Sequence, residues 1–75
     1  MSATPKWSVT ADTRPEEAVK LAMEREKLAR EFYLHCASVV KDPGVRKMFE
    51  FLAGEEGRHK ALLEKEYDRF IAGEN

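Results

Sequence analysis

The chain has 75 residues, of which 36% are charged, and its 13 lysines and arginines against 14 aspartates and glutamates give a net charge of −1. This balance argues against a nucleic-acid partner and against an acidic tail. The sequence contains no apolar stretch of about 18 residues, so we expect no membrane partner. It also lacks a cationic start followed by an apolar run, so we expect one small cytoplasmic domain without a signal peptide.

The single cysteine, Cys36, cannot form an internal disulfide, which suits a reducing compartment. A chain of this size without a disulfide usually needs a bound metal, a partner subunit or both. Residues 1–12 show no periodicity and contain Pro5, serines and threonines. They form either an N-terminal arm, with Trp7 and Val9 docked on another surface, or a partly disordered leader.

The first helix is predicted at about 14–40. Thr13 and Glu16 fit the capping-box pattern, and Pro15 is tolerated in a first helical turn. No glycine or proline interrupts the segment that follows. Apolar residues recur through it at helical spacing. They are Ala18, Leu21, Ala22, Leu28, Ala29, Phe32, Cys36, Val39 and Val40.

A second helix is predicted at about 43–71, after a short break. Asp42 is a good N-cap for a helix whose first residue is Pro43, and Gly73 ends the helix. Residues 13–75 would then form an all-α antiparallel hairpin. Since two amphipathic helices cover only one side of each other, we expect two chains to dimerise into a four-helix bundle.

Glu56 and His59 lie within the apolar arc of the second helix, spaced i and i+3. At about 100° per residue that arc also carries Val45, Met48, Phe49, Leu52, Leu63, Tyr67 and Phe70. Burying a carboxylate and an imidazole there costs several kcal/mol unless an ion or a hydrogen-bond partner compensates. A metal is the candidate we favour.

Glu26 of the first helix is predicted at the same height as this pair. It lies 16 residues before Asp42, while Glu56 and His59 lie 14 and 17 residues after it. At about 1.5 Å per residue, all three are roughly 21 to 26 Å from the turn. Glu26, Glu56 and His59 are therefore the predicted metal ligands and catalytic residues.

A two-fold axis would double this set to two glutamates and two Glu-x-x-His motifs, the carboxylate-bridged di-iron or di-manganese set of four-helix bundles. Carboxylates bridge hard cations, and each imidazole supplies a nitrogen to one metal. We therefore expect two iron ions per dimer. Manganese or zinc remains an alternative, because ligand type alone does not fix the metal.

A metal-free interpretation also stays open for these three residues. Glu56 and His59 would then be a buried hydrogen-bonded pair, and Glu26 would pair with Arg30 at i+4. The protein would in that case be a dimeric helical hairpin that acts as an oligomerisation or partner-binding module.

Two segments resemble the helices of rubrerythrin-like ferritins, over about residues 16–70. The first is Glu26-Lys27-Leu28-Ala29-Arg30-Glu31-Phe32-Tyr33 with Ala37, and the second is Asp42-Pro43, Phe49, Leu52-Ala53, Glu55-Glu56 and His59. A single hairpin is similar to the encapsulated ferritins, which assemble a di-iron ferroxidase site between subunits. The resemblance implies ferroxidase activity, oxidation of Fe(II) by oxygen or peroxide, with Glu26, Glu56 and His59 as ligands and Tyr33 beside them. No Cys-x-x-Cys pair is present, so the rubredoxin-type centre of full rubrerythrins is absent.

Overall fold

The computed structural model describes residues 9–72, so Trp7 and the predicted helix end at Gly73 lie outside the described residues. Two α-helices make up most of this described part, α1 at Pro15–Val39 and α2 at Pro43–Tyr67. A π-helical turn at Asp68–Ala72 continues α2. The two helices pack on each other as a hairpin, and the described residues contain no strand. No helix within residues 9–72 is long and apolar enough to cross a membrane.

The start of α1 differs from the predicted capping box. Arg14 occupies the N-cap position and makes no side-chain cap hydrogen bond. The Thr13 hydroxyl instead accepts the backbone N–H of Thr10 at 2.9 Å, and the Thr13 N–H donates to the Thr10 carbonyl at 3.1 Å. The Glu16 carboxylate forms an ion pair with Arg14, with Oε2 of Glu16 3.5 Å from Nε of Arg14. The prediction of Thr13 as N-cap was wrong because its hydroxyl closes the turn before the helix.

The turn between the helices is held at both of its ends. The Asp42 carboxylate accepts the backbone N–H of Val45 at 2.9 Å, which confirms Asp42 as the N-cap of α2. On the other side, the Arg46 guanidinium donates to the Val40 carbonyl at 3.1 Å. This carbonyl has no partner within α1, because it follows the last helical residue. The short connection therefore fixes the height at which the two helices meet.

The interface between the helices is thin. Of the described residues, Ala37 and Ala53 are the buried ones, and their small side chains let the helices approach closely. On the turn side of the hairpin the rings of Tyr33 and Phe49 stack with centroids 6.1 Å apart. At the open end the Lys20 ammonium lies 5.8 Å from the centre of the Tyr67 ring.

Much of the predicted apolar arc of α2 is exposed in the single chain. Val45 and Met48 of α2, Phe70 of the π-helical turn and Phe32 of α1 are between 39% and 69% exposed. At about 100° per residue they project from the same side of the antiparallel hairpin, so we call these four residues the open apolar face. Leu28, Val39, Phe51 and Leu62 extend it around the outer edges of the helices. A lone hairpin cannot cover this face, since each helix shields one side of the other.

Candidate metal centre

The two helices bring Glu26, Glu56 and His59 together midway along the hairpin. Glu26 lies in the middle of α1, and Glu56 and His59 are one turn apart on α2. Residues three apart on a helix are neighbours on its surface, so the carboxylate and imidazole of α2 project side by side. The antiparallel packing then places Glu26 opposite them.

The side-chain atoms of the cluster are close but are not bonded to one another. His59 Nδ1 lies 3.5 Å from Glu56 Oε1 and 3.6 Å from Glu26 Oε1. One ligand atom from each of the three residues lies within 4.8 Å of the other two. These separations exceed those of ordinary hydrogen bonds. Two ligand atoms on one ion, each bonded at about 2.0 to 2.2 Å, are themselves roughly 3 to 4 Å apart, so the spacing suits a shared ion.

Glu26 carries the clearest sign of a missing partner. Its Oε1 atom is buried and has no hydrogen-bond partner among residues 9–72. Leaving a polar atom buried in this way costs about 1 to 3 kcal/mol, and more when the group is charged. A cation placed between Glu26, Glu56 and His59 would satisfy this oxygen. Carboxylate oxygens with an imidazole nitrogen form a donor set that suits iron or manganese.

His59 is more accessible than its place in the apolar arc predicted. Its side chain is 54% exposed, against 26% for Glu26 and 19% for Glu56. His59 lies at the edge of the cluster that borders the open apolar face, so in a single chain one side of the imidazole has no cover. The isolated hairpin does not enclose that side of His59, and its place in the core of a two-chain bundle stays a prediction.

The contacts proposed for a metal-free site are not found in the described part of the chain. No hydrogen bond joins Glu56 to His59 there, and Nδ1 of His59 lies 3.5 Å from Oε1 of Glu56. Nor does any ion pair join Glu26 to Arg30 among residues 9–72.

Other residues of interest take structural places. Tyr33 is partly buried between Phe32 and Phe49, with ring centroids 5.8 and 6.1 Å away. His35 is exposed, as predicted from the helical wheel. The sequence pattern did not single out a cationic groove behind the cluster, formed in part by Lys27, Arg30 and Lys60. The sequence feature that could have indicated this groove is the pair Lys27 and Arg30, three residues apart on α1 and opposite Gly57 of α2.

Two carboxylates and a histidine held between antiparallel helices define a helical-hairpin protein with a candidate metal centre. The sequence model of the rubrerythrin family matches residues 1–70, and the chain belongs to that family. Membership indicates a ferritin-like, iron-binding protein and confirms the resemblance in the two helical motifs. No curated protein and no solved structure matches the chain.

Proposed function

We propose that the protein oxidises Fe(II) with oxygen or peroxide at a di-iron site formed between two copies of the chain. The observation that carries this proposal is the buried, unpartnered Oε1 of Glu26, with Glu56 and His59 close enough to share an ion with it. Family membership supports iron as the metal.

Each ligand has a distinct role in the proposed site. Glu26 and Glu56, the two less exposed groups, would bind or bridge the metals and neutralise their charge. The His59 imidazole of each chain would supply a nitrogen to one of the two metals. A pair of irons held by these residues would supply two electrons to the oxidant, which would avoid a one-electron step. Manganese or zinc in the same ligands is the alternative for metal identity.

A second copy is proposed because one chain offers too few ligands for two metals. Three side chains leave most positions around two octahedral ions empty, whereas a two-fold axis supplies two glutamates and two Glu-x-x-His motifs. The exposed side of His59 borders the open apolar face, and an apolar face of this kind favours association. Covering it with a second hairpin would complete a four-helix bundle, as a homodimer or part of a larger homo-oligomer.

The proposed activity is oxidation rather than storage. A four-helix bundle made of two hairpins has a packed core and encloses no mineral, so storage would need a separate compartment or a higher assembly. We place the protein in the cytoplasm, which agrees with its single unpaired Cys36.

The proposal is tested by adding Fe(II) in air and following ferric absorbance against protein concentration. Wild-type protein should give a signal that saturates at a fixed ratio of iron to chain. Glu56→Ala should lose the saturating signal, while Glu50→Ala, an exposed glutamate on the same helix, should keep it. A signal that does not saturate even in the wild type would leave the metal-free partner-binding module as the better account, and a saturating signal that survives Glu56→Ala would remove Glu56 from the ligand set.

A further inference from the structure

A cationic groove crosses the hairpin on the side opposite the open apolar face. It has a volume of about 560 Å³ and is lined by Lys27, Arg30, Glu31, Gly57 and Lys60. On the helical wheels these residues project around each helix in the sense opposite to Phe32 and Met48. The groove is thus separate from the surface proposed to bind a second chain.

Gly57 forms part of the groove because it has no side chain. A Cβ atom at this position would lie 3.6 Å from Arg30 Nε and 3.7 Å from Arg30 Cδ. The Arg30 side chain therefore reaches across from α1 and lies over the backbone of α2. A glycine within a helix costs up to about 1 kcal/mol relative to alanine, and here the position leaves space beside a guanidinium.

The charges around the groove are unbalanced. Three cations, Lys27, Arg30 and Lys60, meet a single lining carboxylate, Glu31. Lys60 pairs with Glu64 at 2.6 Å. No ion pair involves Lys27 or Arg30 among residues 9–72. Two cations that make no ion pair and a single carboxylate, Glu31, therefore line a concave surface, and this excess of positive charge favours an anion from solution.

We propose that this groove binds a small tetrahedral oxyanion of the phosphate class. The planar Arg30 guanidinium donates to two oxygens of such an anion, and the ammonium groups of Lys27 and Lys60 add charge without a fixed geometry. Lys60 would exchange part of its contact with the Glu64 carboxylate for the ligand.

The oxyanion site would lie directly behind the candidate metal centre. Lys27 follows Glu26 in the chain, Gly57 follows Glu56, and Lys60 follows His59. The site does not depend on the proposed iron chemistry, because it uses none of the three metal ligands. Free phosphate and the phosphate ester of a small molecule present the same chemistry to it.

The test is an NMR titration of the metal-free chain with inorganic phosphate, at constant ionic strength maintained by exchange for sodium chloride. We expect saturable shifts of the Gly57 backbone N–H and the Arg30 Nε–H. Arg30→Gln should weaken the affinity roughly tenfold or more, because it removes a charged donor. Lys27→Gln serves as a second variant and should weaken it as well. Lys47→Gln, an exposed lysine of α2 outside the groove, removes the same charge and should leave the affinity unchanged.

Shifts that do not saturate, or equal weakening by Arg30→Gln and Lys47→Gln, would overturn the proposal in favour of general charge screening. Acetate that binds as well as phosphate would overturn the preference for a tetrahedral anion. A parallel titration with methyl phosphate separates the two sources of ligand. Tighter binding of the ester supports a phosphorylated small molecule, and tighter binding of inorganic phosphate supports the free ion. Since no metal is present, failure here leaves the proposed iron site untouched.

Discussion

Glu26 on α1 and His59 on α2 face each other across the hairpin, with Oε1 of the carboxylate 3.6 Å from Nδ1 of the imidazole. This distance is too long for a good hydrogen bond, and the same oxygen is buried without another partner among residues 9–72. The two helices therefore hold a carboxylate and an imidazole near each other, and the carboxylate oxygen stays without a hydrogen bond. A cation bound between them would offset the free-energy cost of burying the Glu26 oxygen without a hydrogen bond.

The first prediction concerns the cost of the buried Glu26 carboxylate to the stability of the metal-free protein. Glu26→Gln removes a buried carboxylate beside Glu56, so the free energy of unfolding should rise by about 1 kcal/mol. Urea unfolding in a chelating buffer at one fixed protein concentration measures the change. Glu24→Gln, at an exposed position of α1, is the control and should have little effect. If Glu26→Gln destabilises the metal-free protein and Glu24→Gln does not, Glu26 has a partner that this account lacks.

The second prediction concerns metal-dependent stability. A metal that binds the folded state at 100 times its dissociation constant stabilises that state by about 2.7 kcal/mol. Mn(II), which is stable in air, should raise the Tm of the wild type and of His35→Ala, whose histidine is exposed away from the cluster. His59→Ala should lose that increase. A manganese effect that persists in His59→Ala would remove the histidine from the ligand set.

The third prediction concerns the open apolar face. Met48→Asp would place an unpaired charge in the proposed dimer interface, so association should weaken by at least roughly tenfold. Sedimentation velocity over a concentration series measures this directly. Leu34→Asp makes the same kind of change at an exposed apolar position on the other side of α1 and is the matched control. Dimers that survive Met48→Asp but not Leu34→Asp would place the interface on the groove side.

The fourth prediction separates the two candidate N-caps. Asp42→Ala removes a side-chain acceptor from the first turn of α2 and should lower the free energy of unfolding by about 1 kcal/mol. Thr13→Ala should cost less, because the Thr13 hydroxyl bonds to the preceding turn and not to α1. Chemical denaturation of the two variants under one condition gives the comparison. A larger loss for Thr13→Ala would restore the capping box.

The sequence predicted the two helices and the proximity of Glu26, Glu56 and His59 for a physical reason. A proline next to an N-cap aspartate stops one helix and starts the next, so the short turn at Asp42 sets the relative height of Glu26 and Glu56. Rise per residue then brings the ligands to one level without further information. The roles of the three residues as metal ligands are part of the proposed function.

Other features depend on atoms that a periodic pattern does not contain. Thr13 fits the capping box in sequence, yet the choice between capping α1 and closing the preceding turn depends on local backbone geometry. The exposure of His59 depends on how far two helices alone can wrap around a side chain. The cationic groove could not be predicted, because it depends on the path of the Arg30 side chain over Gly57. Residue spacing along either helix does not specify that path.

The central claim is a di-iron site shared by two chains, and native mass spectrometry of an anaerobic Fe(II) titration tests it most directly. The account predicts a dimer that gains two irons, and monomers that gain none. A dimer that stays metal-free at every ratio of iron to protein would contradict it and would leave Glu26, Glu56 and His59 as structural polar residues.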